Sequence, residues 1–170
     1  AIFLAPLIIA SINSKEDVFN GIRKILLKKK NFDVSKLTIY KGDIRDHSFL
    51  NKIFLEAKER GNPIDGVIHC AGLKAVNESI YNPLKYWDFN VSGSINLLKV
   101  MLLNQCRTIL FSSSATVYGI SEIPSSENAN LEPINPYGLT KLAVESILQN
   151  ISESKNDKWK VGYLRYFNPI

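Results

Sequence analysis

The sequence predicts an α/β protein built on a doubly wound parallel sheet. Short continuous apolar runs, which are typical of strands buried on both faces, alternate with amphipathic helical stretches. Right-handed crossovers between such strands place helices on both faces of the sheet and ligands beyond the carboxyl ends of the strands. With 170 residues, the chain has the length of one domain with a substantial core.

The first half of the chain predicts three strands and two helices. The predicted strands are the apolar runs Leu4–Ala10, Leu37–Lys41 and Gly66–Cys70. Glu16–Lys29 is a predicted helix because its apolar residues recur on one face. Asp46 is placed to cap a second helix that runs to about Glu59. We expect this helix to turn Phe49, Ile53, Phe54 and Ala57 towards the core.

The second half continues the alternation. Pro83–Asn104 predicts one long helix or two, Thr108–Ser113 a fourth strand, Tyr137–Glu153 a helix and Trp159–Arg165 a fifth strand. Asn135 followed by Pro136 is typical of an N-cap and first helical position, which places Tyr137 in the first turn.

Composition and charge restrict the function classes. The net charge of +5 is concentrated around Lys28–Lys30 without aromatic interleaving, so we interpret the run as a solvated helix end and expect no nucleic-acid partner. Cys70 and Cys106 lie in apolar segments without metal-ligand spacing, which predicts reduced core residues of a cytoplasmic protein and no metal site. The apolar start, Ala1–Ala10, is too short to span a bilayer, and we expect no membrane partner.

Three polar clusters follow predicted strands directly: Gly42–Ile44, His69–Lys74 and Ser112–Thr116. Because carboxyl ends of parallel strands meet at one edge of a sheet, we expect a single site there. Asp43 could accept hydrogen bonds from an adenine amine, or it could serve only as a turn former. His69 has no nucleophile or carboxylate partner in evident register, so we predict a hydrogen-bonded core histidine.

A serine, a tyrosine and a lysine supply the predicted chemistry. The segment Phe111–Gly119 ends a strand with hydroxyl groups, and the spacing of Tyr137 and Lys141 places both on one helix face. A free tyrosine has a pKa of about 10, and a nearby ammonium or a cationic cofactor favours its phenolate. Such a group of residues can move a proton while a cofactor moves a hydride. A purely structural role for the pair is the alternative.

These residues resemble the extended short-chain dehydrogenase/reductase family, and within it the UDP-glucose 4-epimerases, from about Gly42 to Ile170. The matching blocks are Gly42–Arg45, Val67–Val76 with Glu78 and Ser79, Phe111–Gly119, Pro136–Gly138 with Lys141, and Leu164–Pro169. The run Ala71–Val76 is specific to the 4-epimerases, whereas Tyr-x-x-x-Lys is shared by the superfamily. Ser114-Ala-Thr116 stands where a 4,6-dehydratase would have Thr-Asp-Glu, which argues against that branch.

The resemblance implies a Rossmann-like fold and interconversion of UDP-glucose and UDP-galactose through transient hydride transfer to bound NAD and a 4-keto sugar. It implies that Tyr137 takes the proton of the 4-hydroxyl, that Ser114 hydrogen-bonds the 4-oxygen, and that Lys141 lowers the pKa of the phenol. The implied cofactor contacts are Asp43, Ile44, Cys70, Ala71, Gly72, Lys74, Asn90, Ser112, Tyr137, Lys141 and Tyr166. The implied substrate contacts are Lys74, Ser114, Tyr137, Phe167 and Asn168.

The chain also departs from the family pattern. It contains no counterpart of the family's first strand and Gly-x-x-Gly-x-x-Gly turn, whose amides hold the pyrophosphate, and none of the C-terminal UDP-sugar domain. We therefore expect residues 1–170 to be a partial NAD-binding domain, truncated at both ends, that binds NAD poorly and turns over little when isolated.

The family implies a homodimer of the full-length parent, formed through two helices that correspond to Leu84–Met101 and Lys141–Ile151. Two alternatives remain open at this stage. One is a non-catalytic remnant or partner-binding domain whose exposed sheet edge pairs with another chain. The other, a related NAD(P)-dependent reductase, is disfavoured by the epimerase-specific run Ala71–Val76.

Overall fold

The computed structural model describes residues 38, 40–120 and 126–167 of the chain. The predicted strand Leu4–Ala10, the helix Glu16–Lys29, the run Lys28–Lys30 and the site residue Asn168 lie outside these residues. The predicted strand Leu37–Lys41 is wrong at its described positions, because Thr38, Tyr40 and Lys41 belong to no strand. The Tyr40 ring instead packs against the core, and its hydroxyl donates to Glu56 over 2.7 Å.

Within the described residues, three strands form a parallel sheet in the order β1-β2-β3. They are β1 (Val67–His69), β2 (Thr108–Ser114) and β3 (Lys160–Tyr166). His69 lies opposite Phe111, and Ser114 lies opposite Tyr166. The third, fourth and fifth predicted strands and their parallel arrangement are therefore confirmed. Because the strands are parallel, His69, Ser114 and Tyr166 end at the same edge of the sheet.

The helices are α1 (His47–Glu59), α2 (Val76–Tyr81), α3 (Pro83–Tyr86), α4 (Gly93–Leu103) and α5 (Pro136–Ser152). A π-helical segment, Trp87–Ser92, joins α3 to α4, so the predicted helix Pro83–Asn104 is one continuous helical run with two kinds of turn. Asp46 caps α1 as predicted, and its carboxylate accepts from the Phe49 amide over 2.9 Å. The helix α2 was not predicted, because six residues are too few to display a helical period.

The core lies between one face of the sheet and the helices. Val67 and Ile109 point into it from the sheet, whereas Ile68 on the opposite face is 50% exposed. The helices contribute a larger set of buried apolar side chains, which are Leu50, Ile53, Phe54 and Ala57 of α1, Leu97, Leu98, Val100 and Met101 of α4, and Val144 and Leu148 of α5. The inward face predicted for the helix after Asp46 is confirmed at Ile53, Phe54 and Ala57, and Phe49 packs against the core at its margin.

The two cysteines occupy different environments. Cys106 is 2% exposed, as predicted for a core residue. The same prediction is wrong for Cys70, whose thiol is exposed because the residue follows β1, where the chain leaves the sheet. In the described part of the chain, no helix combines the length and apolar character needed to cross a bilayer.

Candidate active site

The carboxyl edge of the sheet brings two of the three predicted clusters together. His69–Lys74 follows β1, and Ser112–Thr116 covers the end of β2 and the start of a 3₁₀ turn over Ala115–Tyr118. The third cluster, Gly42–Ile44, lies before α1, against the π-helical segment and α4. The carbonyl of Ile44 accepts from the Asn96 side chain over 2.8 Å. The Ile44 side chain is buried, with 2% exposed.

Helix α5 holds Tyr137 and Lys141 at this edge. Its start is fixed by the Asn135 side chain, which accepts from the Gly138 amide over 2.8 Å, as the Asn-Pro pair predicted. Gly138 lets the first turn approach the residues after β2, because a Cβ atom there would lie 2.9 Å from the Thr116 carbonyl oxygen. Tyr137 is 9% exposed and Lys141 is 6% exposed. Both side chains are therefore held inside the protein rather than on its surface.

The Lys141 ammonium is anchored at the end of β2. Its Nζ donates to the Ser112 carbonyl over 2.8 Å and lies 4.7 Å from the centroid of the Phe111 ring. Burial lowers the pKa of Lys141 to about 8, while Cys70 and Glu145 act in the opposite direction. A pKa near 8 leaves Lys141 predominantly charged at neutral pH, and close to losing that charge.

Tyr137 is a protonated phenol at neutral pH in this state. Burial raises its pKa, and the neighbouring Ser114 side chain opposes the rise. The Lys141 Nζ lies 5.8 Å from the centroid of the Tyr137 ring. A hydroxyl group and a cation therefore both lie near the phenol.

Asn90 ties the loop after β1 to α5. Its side chain is 3% exposed and lies in the π-helical segment. Its Oδ1 accepts from the Leu73 amide over 2.7 Å, and its Nδ2 donates to the Leu73 carbonyl and the Thr140 hydroxyl over 3.0 Å each. At Gly72, a Cβ atom would lie 3.0 Å from Asn90 Oδ1 and 3.9 Å from Lys141 Nζ. Only a glycine leaves that space beside the ammonium free for a ligand.

His69 does not join the acid–base group. It is 3% exposed, and its Nε2 hydrogen-bonds with the Ser94 hydroxyl over 2.7 Å. Burial, assisted by the positive charge of Lys141, lowers its pKa to about 3, so the ring is neutral at neutral pH. The prediction of a hydrogen-bonded core histidine is confirmed.

The remaining predicted site residues surround this centre at greater exposure. Cys70, Gly72 and Lys74 are exposed in the loop after β1, and Ala71 packs against the core. Tyr166 and Phe167 are exposed at the end of β3, and the Phe167 ring stacks on Tyr118 with centroids 6.3 Å apart. Asp43 forms an ion pair with Arg45 over 2.6 Å, which lowers the pKa of its carboxyl.

Sequence reasoning did not assign roles to several buried polar residues that contact the site. Ser79 of α2 accepts from the Tyr137 amide over 3.2 Å. Ser113, Glu145 and Arg165 form a buried group beside Lys141. The position of Glu145, four residues after Lys141, is a signal that could have revealed it, since such residues share a helix face. No comparable signal precedes Ser79, whose role depends on a contact between residues 58 positions apart.

The sequence of this chain matches a known protein family. A family model described as GDP-mannose 4,6 dehydratase matches residues 8–169. The chain belongs to this family. Within it, the chain is 43% identical over 159 residues to UDP-glucose 4-epimerase GEPI48 of Cyamopsis tetragonoloba, covering 93% of this chain and 43% of that protein. It is 48% identical over 130 residues to a bifunctional UDP-glucose and UDP-xylose 4-epimerase of Pisum sativum, covering 76% of this chain and 35% of that protein.

Solved structures of proteins with the same kind of name superpose on this chain. A UDP-glucose 4-epimerase from Bifidobacterium longum, in complex with NAD+ and UDP, superposes with a TM-score of 0.82 at 37% identity, over 97% of this chain and 47% of that one. A second, from Stenotrophomonas maltophila with bound NAD and formylated UDP-arabinopyranose, gives 0.83 at 36% identity, over 97% and 46%. The Rossmann-like fold expected from the sequence is thereby confirmed. The chain spans less than half the length of these relatives.

Proposed function

We propose that this chain carries the NAD-binding and catalytic residues of an epimerase that interconverts UDP-glucose and UDP-galactose. The observation that carries the proposal is the buried Tyr137 phenol, which lies beside Ser114 and has the Lys141 ammonium 5.8 Å from its ring centroid. The names of the relatives at 43–48% identity support the same reaction. The segment Ser114-Ala-Thr116 lacks the carboxylates of a 4,6-dehydratase, which favours epimerisation over dehydration within the family.

In this proposal, each residue has a distinct task. NAD, when bound, supplies reversible acceptance of the hydride from C4 of the sugar. Tyr137 removes the proton of the 4-hydroxyl, and Ser114 holds the 4-oxygen and relays that proton. Lys141 supplies positive charge that favours the phenolate, and it binds the nicotinamide ribose. Once the 4-keto sugar had turned its other face to the site, Tyr137 and Ser114 would return the proton to the 4-oxygen, so that C4 is inverted with no net oxidation.

The residues present fit a dinucleotide beside Lys141, since the space that Gly72 leaves open adjoins both Asn90 and the ammonium. We assign the cofactor contacts to Asp43, Ile44, Cys70, Ala71, Gly72, Lys74, Asn90, Ser112, Tyr137, Lys141 and Tyr166. The UDP-sugar contacts are assigned to Lys74, Ser114, Tyr137, Phe167 and Asn168. Asp43 must share its carboxylate with Arg45 to reach an adenine, and Ile44 offers its backbone, because its side chain belongs to the core. Homodimerisation through 84–101 and 141–151 stays a prediction.

A chimera tests this function directly. The matching 159-residue block of the Cyamopsis protein is replaced by the corresponding residues of this chain, and conversion of UDP-galactose to UDP-glucose is followed. We expect turnover, with Tyr137→Phe lowering kcat by about 10²–10⁴-fold because the base is lost. UDP-xylose is assayed alongside, because the Pisum relative is named for both sugars.

Two outcomes would separate the alternatives. A 4-keto-6-deoxy product in place of the epimer would assign the chain to dehydration. A well-folded chimera without turnover would support the non-catalytic alternative. The isolated 170-residue chain is titrated with NAD in parallel by calorimetry, and we expect weak binding and little turnover, because it has no glycine-rich turn for the pyrophosphate.

A further inference from the structure

Helix α5 presents three buried polar side chains to β2 at successive turns. Tyr137, Lys141 and Glu145 follow one another at four-residue spacing and share a face. Lys141 donates to the carbonyl of Ser112, and Glu145 accepts from the hydroxyl of Ser113. The helix is therefore held to the strand by polar contacts at Ser112 and Ser113, the two residues that precede Ser114.

Glu145 is held in turn by Arg165 of β3. The guanidinium donates from its NH2 group to Glu145 Oε2 over 2.7 Å and from its Nε to Oε1 over 3.1 Å, which makes a two-point, planar contact. The Glu145 side chain is 5% exposed and the Arg165 side chain 18% exposed. A carboxylate this deeply buried is stable only with such partners, and the pair fixes the distance between helix and sheet.

Arg165 also reaches the turn that follows β2. Its NH1 group donates to the Tyr118 hydroxyl over 2.9 Å and to the Glu127 carbonyl over 3.4 Å. Tyr118 belongs to the 3₁₀ turn that begins at Ala115, directly after Ser114. A single guanidinium thus links the helix that carries Tyr137 to the turn that begins directly after Ser114.

We propose that the Glu145–Arg165 pair is a positioning device for the reaction. It holds the Tyr137 phenol in register with the Ser114 hydroxyl and keeps a negative charge one helical turn from the Lys141 ammonium. This inference rests on the proposed function of the same site. Neither residue touches the reacting atoms, so both act through Tyr137, Ser114 and Lys141.

Cys70 and Glu145 both raise the pKa of Lys141, and Glu145 is the carboxylate of the two, paired with Arg165 of β3. From α5 it faces Tyr137, a neutral phenol, and Glu145, whose charge raises its pKa. From β1 and the loop after it come His69, whose neutral ring gives no compensating charge, and the Cys70 thiol. From β2 come the Phe111 ring and the Ser112 carbonyl.

The test is a titration of Lys141 in the full 170-residue chain without cofactor. Lysine side chains are labelled with ¹³C at Cε, and the Lys141 resonance is identified by its loss in Lys141→Met. We expect Glu145→Gln to lower the pKa of Lys141 by about one unit, because the favourable charge is removed. Glu145→Asp should restore most of the native value. The matched control is Asp157→Asn, which breaks the Arg107–Asp157 pair of 2.7 Å near the amino ends of the strands and should leave Lys141 unchanged.

The positioning role has its own measurement in the chimera. Glu145→Gln should lower kcat by about 10–100-fold with little change in KM, since misplacement of a catalytic group affects the chemical step. A pKa of Lys141 that is unchanged in Glu145→Gln, or one that shifts equally in Asp157→Asn, would overturn the electrostatic role. Equal kcat losses in Glu145→Gln and Asp157→Asn would reduce the pair to general stability. Because the titration needs neither NAD nor turnover, it stands even if the proposed function fails.

Discussion

The two sides of the candidate site are built differently. On the side of β2 and α5, Tyr137 and Lys141 are buried, and the Lys141 ammonium already has a partner in the Ser112 carbonyl. On the side of β1, the loop that carries Cys70 and Lys74 is exposed and is pinned mainly through the backbone of Leu73. The Tyr137 and Lys141 side chains are therefore fixed before a ligand arrives, whereas the loop leaves its side chains exposed to one.

Replacing Lys141 or Lys74 by methionine should show the largest difference between the two sides of the site. Lys141→Met should abolish turnover of the chimera while stabilising the 170-residue chain at pH 7 by about 1–3 kcal/mol, because a buried ammonium no longer has to be desolvated. The native pKa of about 8 lies below the unfolded value of 10.5. The unfolded chain therefore binds more protons between these values, and native stability should rise with pH across that window. Urea unfolding at pH 7, 8 and 10 measures it.

Lys74→Met is the matched control, since Lys74 is exposed. We expect a higher KM in the chimera and unfolding of the chain that is unchanged within about 0.5 kcal/mol. Equal stabilisation by Lys141→Met and Lys74→Met would contradict the difference between the buried side formed by β2 and α5 and the exposed loop after β1.

Titration of the buried histidine is the next largest effect. The folded pKa of His69 is about 3 against an unfolded value of 6.5. Its contribution to stability is thus complete above pH 6.5 and lost as the pH falls towards 3, at up to about 1.4 kcal/mol per pH unit. His69→Gln should flatten this acid limb in urea unfolding series. His47→Gln, at the chain's other, exposed histidine, should keep the limb intact.

Two glycines with the same backbone angle test how tightly the β2 side is packed. Gly61 and Gly119 have φ of +74° and +73°, but a Cβ atom at Gly61 meets nothing within 4 Å, whereas one at Gly119 collides with the Glu132 carbonyl. Gly61→Ala should cost about 1–2 kcal/mol for the left-handed conformation alone. Gly119→Ala should cost more than that, as measured by chemical denaturation. An equal loss in the free energy of unfolding for Gly61→Ala and Gly119→Ala would mean that the loop at Glu132 moves aside without a cost in stability.

Thiol labelling tests the smallest expected effect, because the reagent probes the exposure of each cysteine without changing the native fold beforehand. Cys70 is exposed and Cys106 is buried, so a chromogenic disulfide reagent should modify one thiol per native chain quickly and the second only after unfolding. Cys70→Ser should remove the fast phase, and Cys106→Ser should keep it. A native chain with two fast thiols would contradict the buried position of Cys106.

Local signals predicted the parts of the molecule that depend on neighbouring residues. The start of α5 followed from Asn135 and Pro136, and β1, β2 and β3 followed from their apolar runs, because capping and burial are encoded within a few positions. The link between Arg165 and Glu145 could not be predicted in this way, since it arises when β3 packs beside α5, 20 positions away in sequence. For the same reason, the sequence did not reveal that Ser79 supports the first turn of α5.

The π-helical turn at Trp87–Ser92 holds one extra residue without changing the helices on either side of it. A π turn accommodates one residue more than an α turn in the same rise. Deleting a single residue between Trp87 and Asn90 would therefore convert the turn to ordinary α-helix and leave α4 in its present orientation on the core. Homologous segments that differ by one residue at this turn can thus share the same packing of α3 and α4.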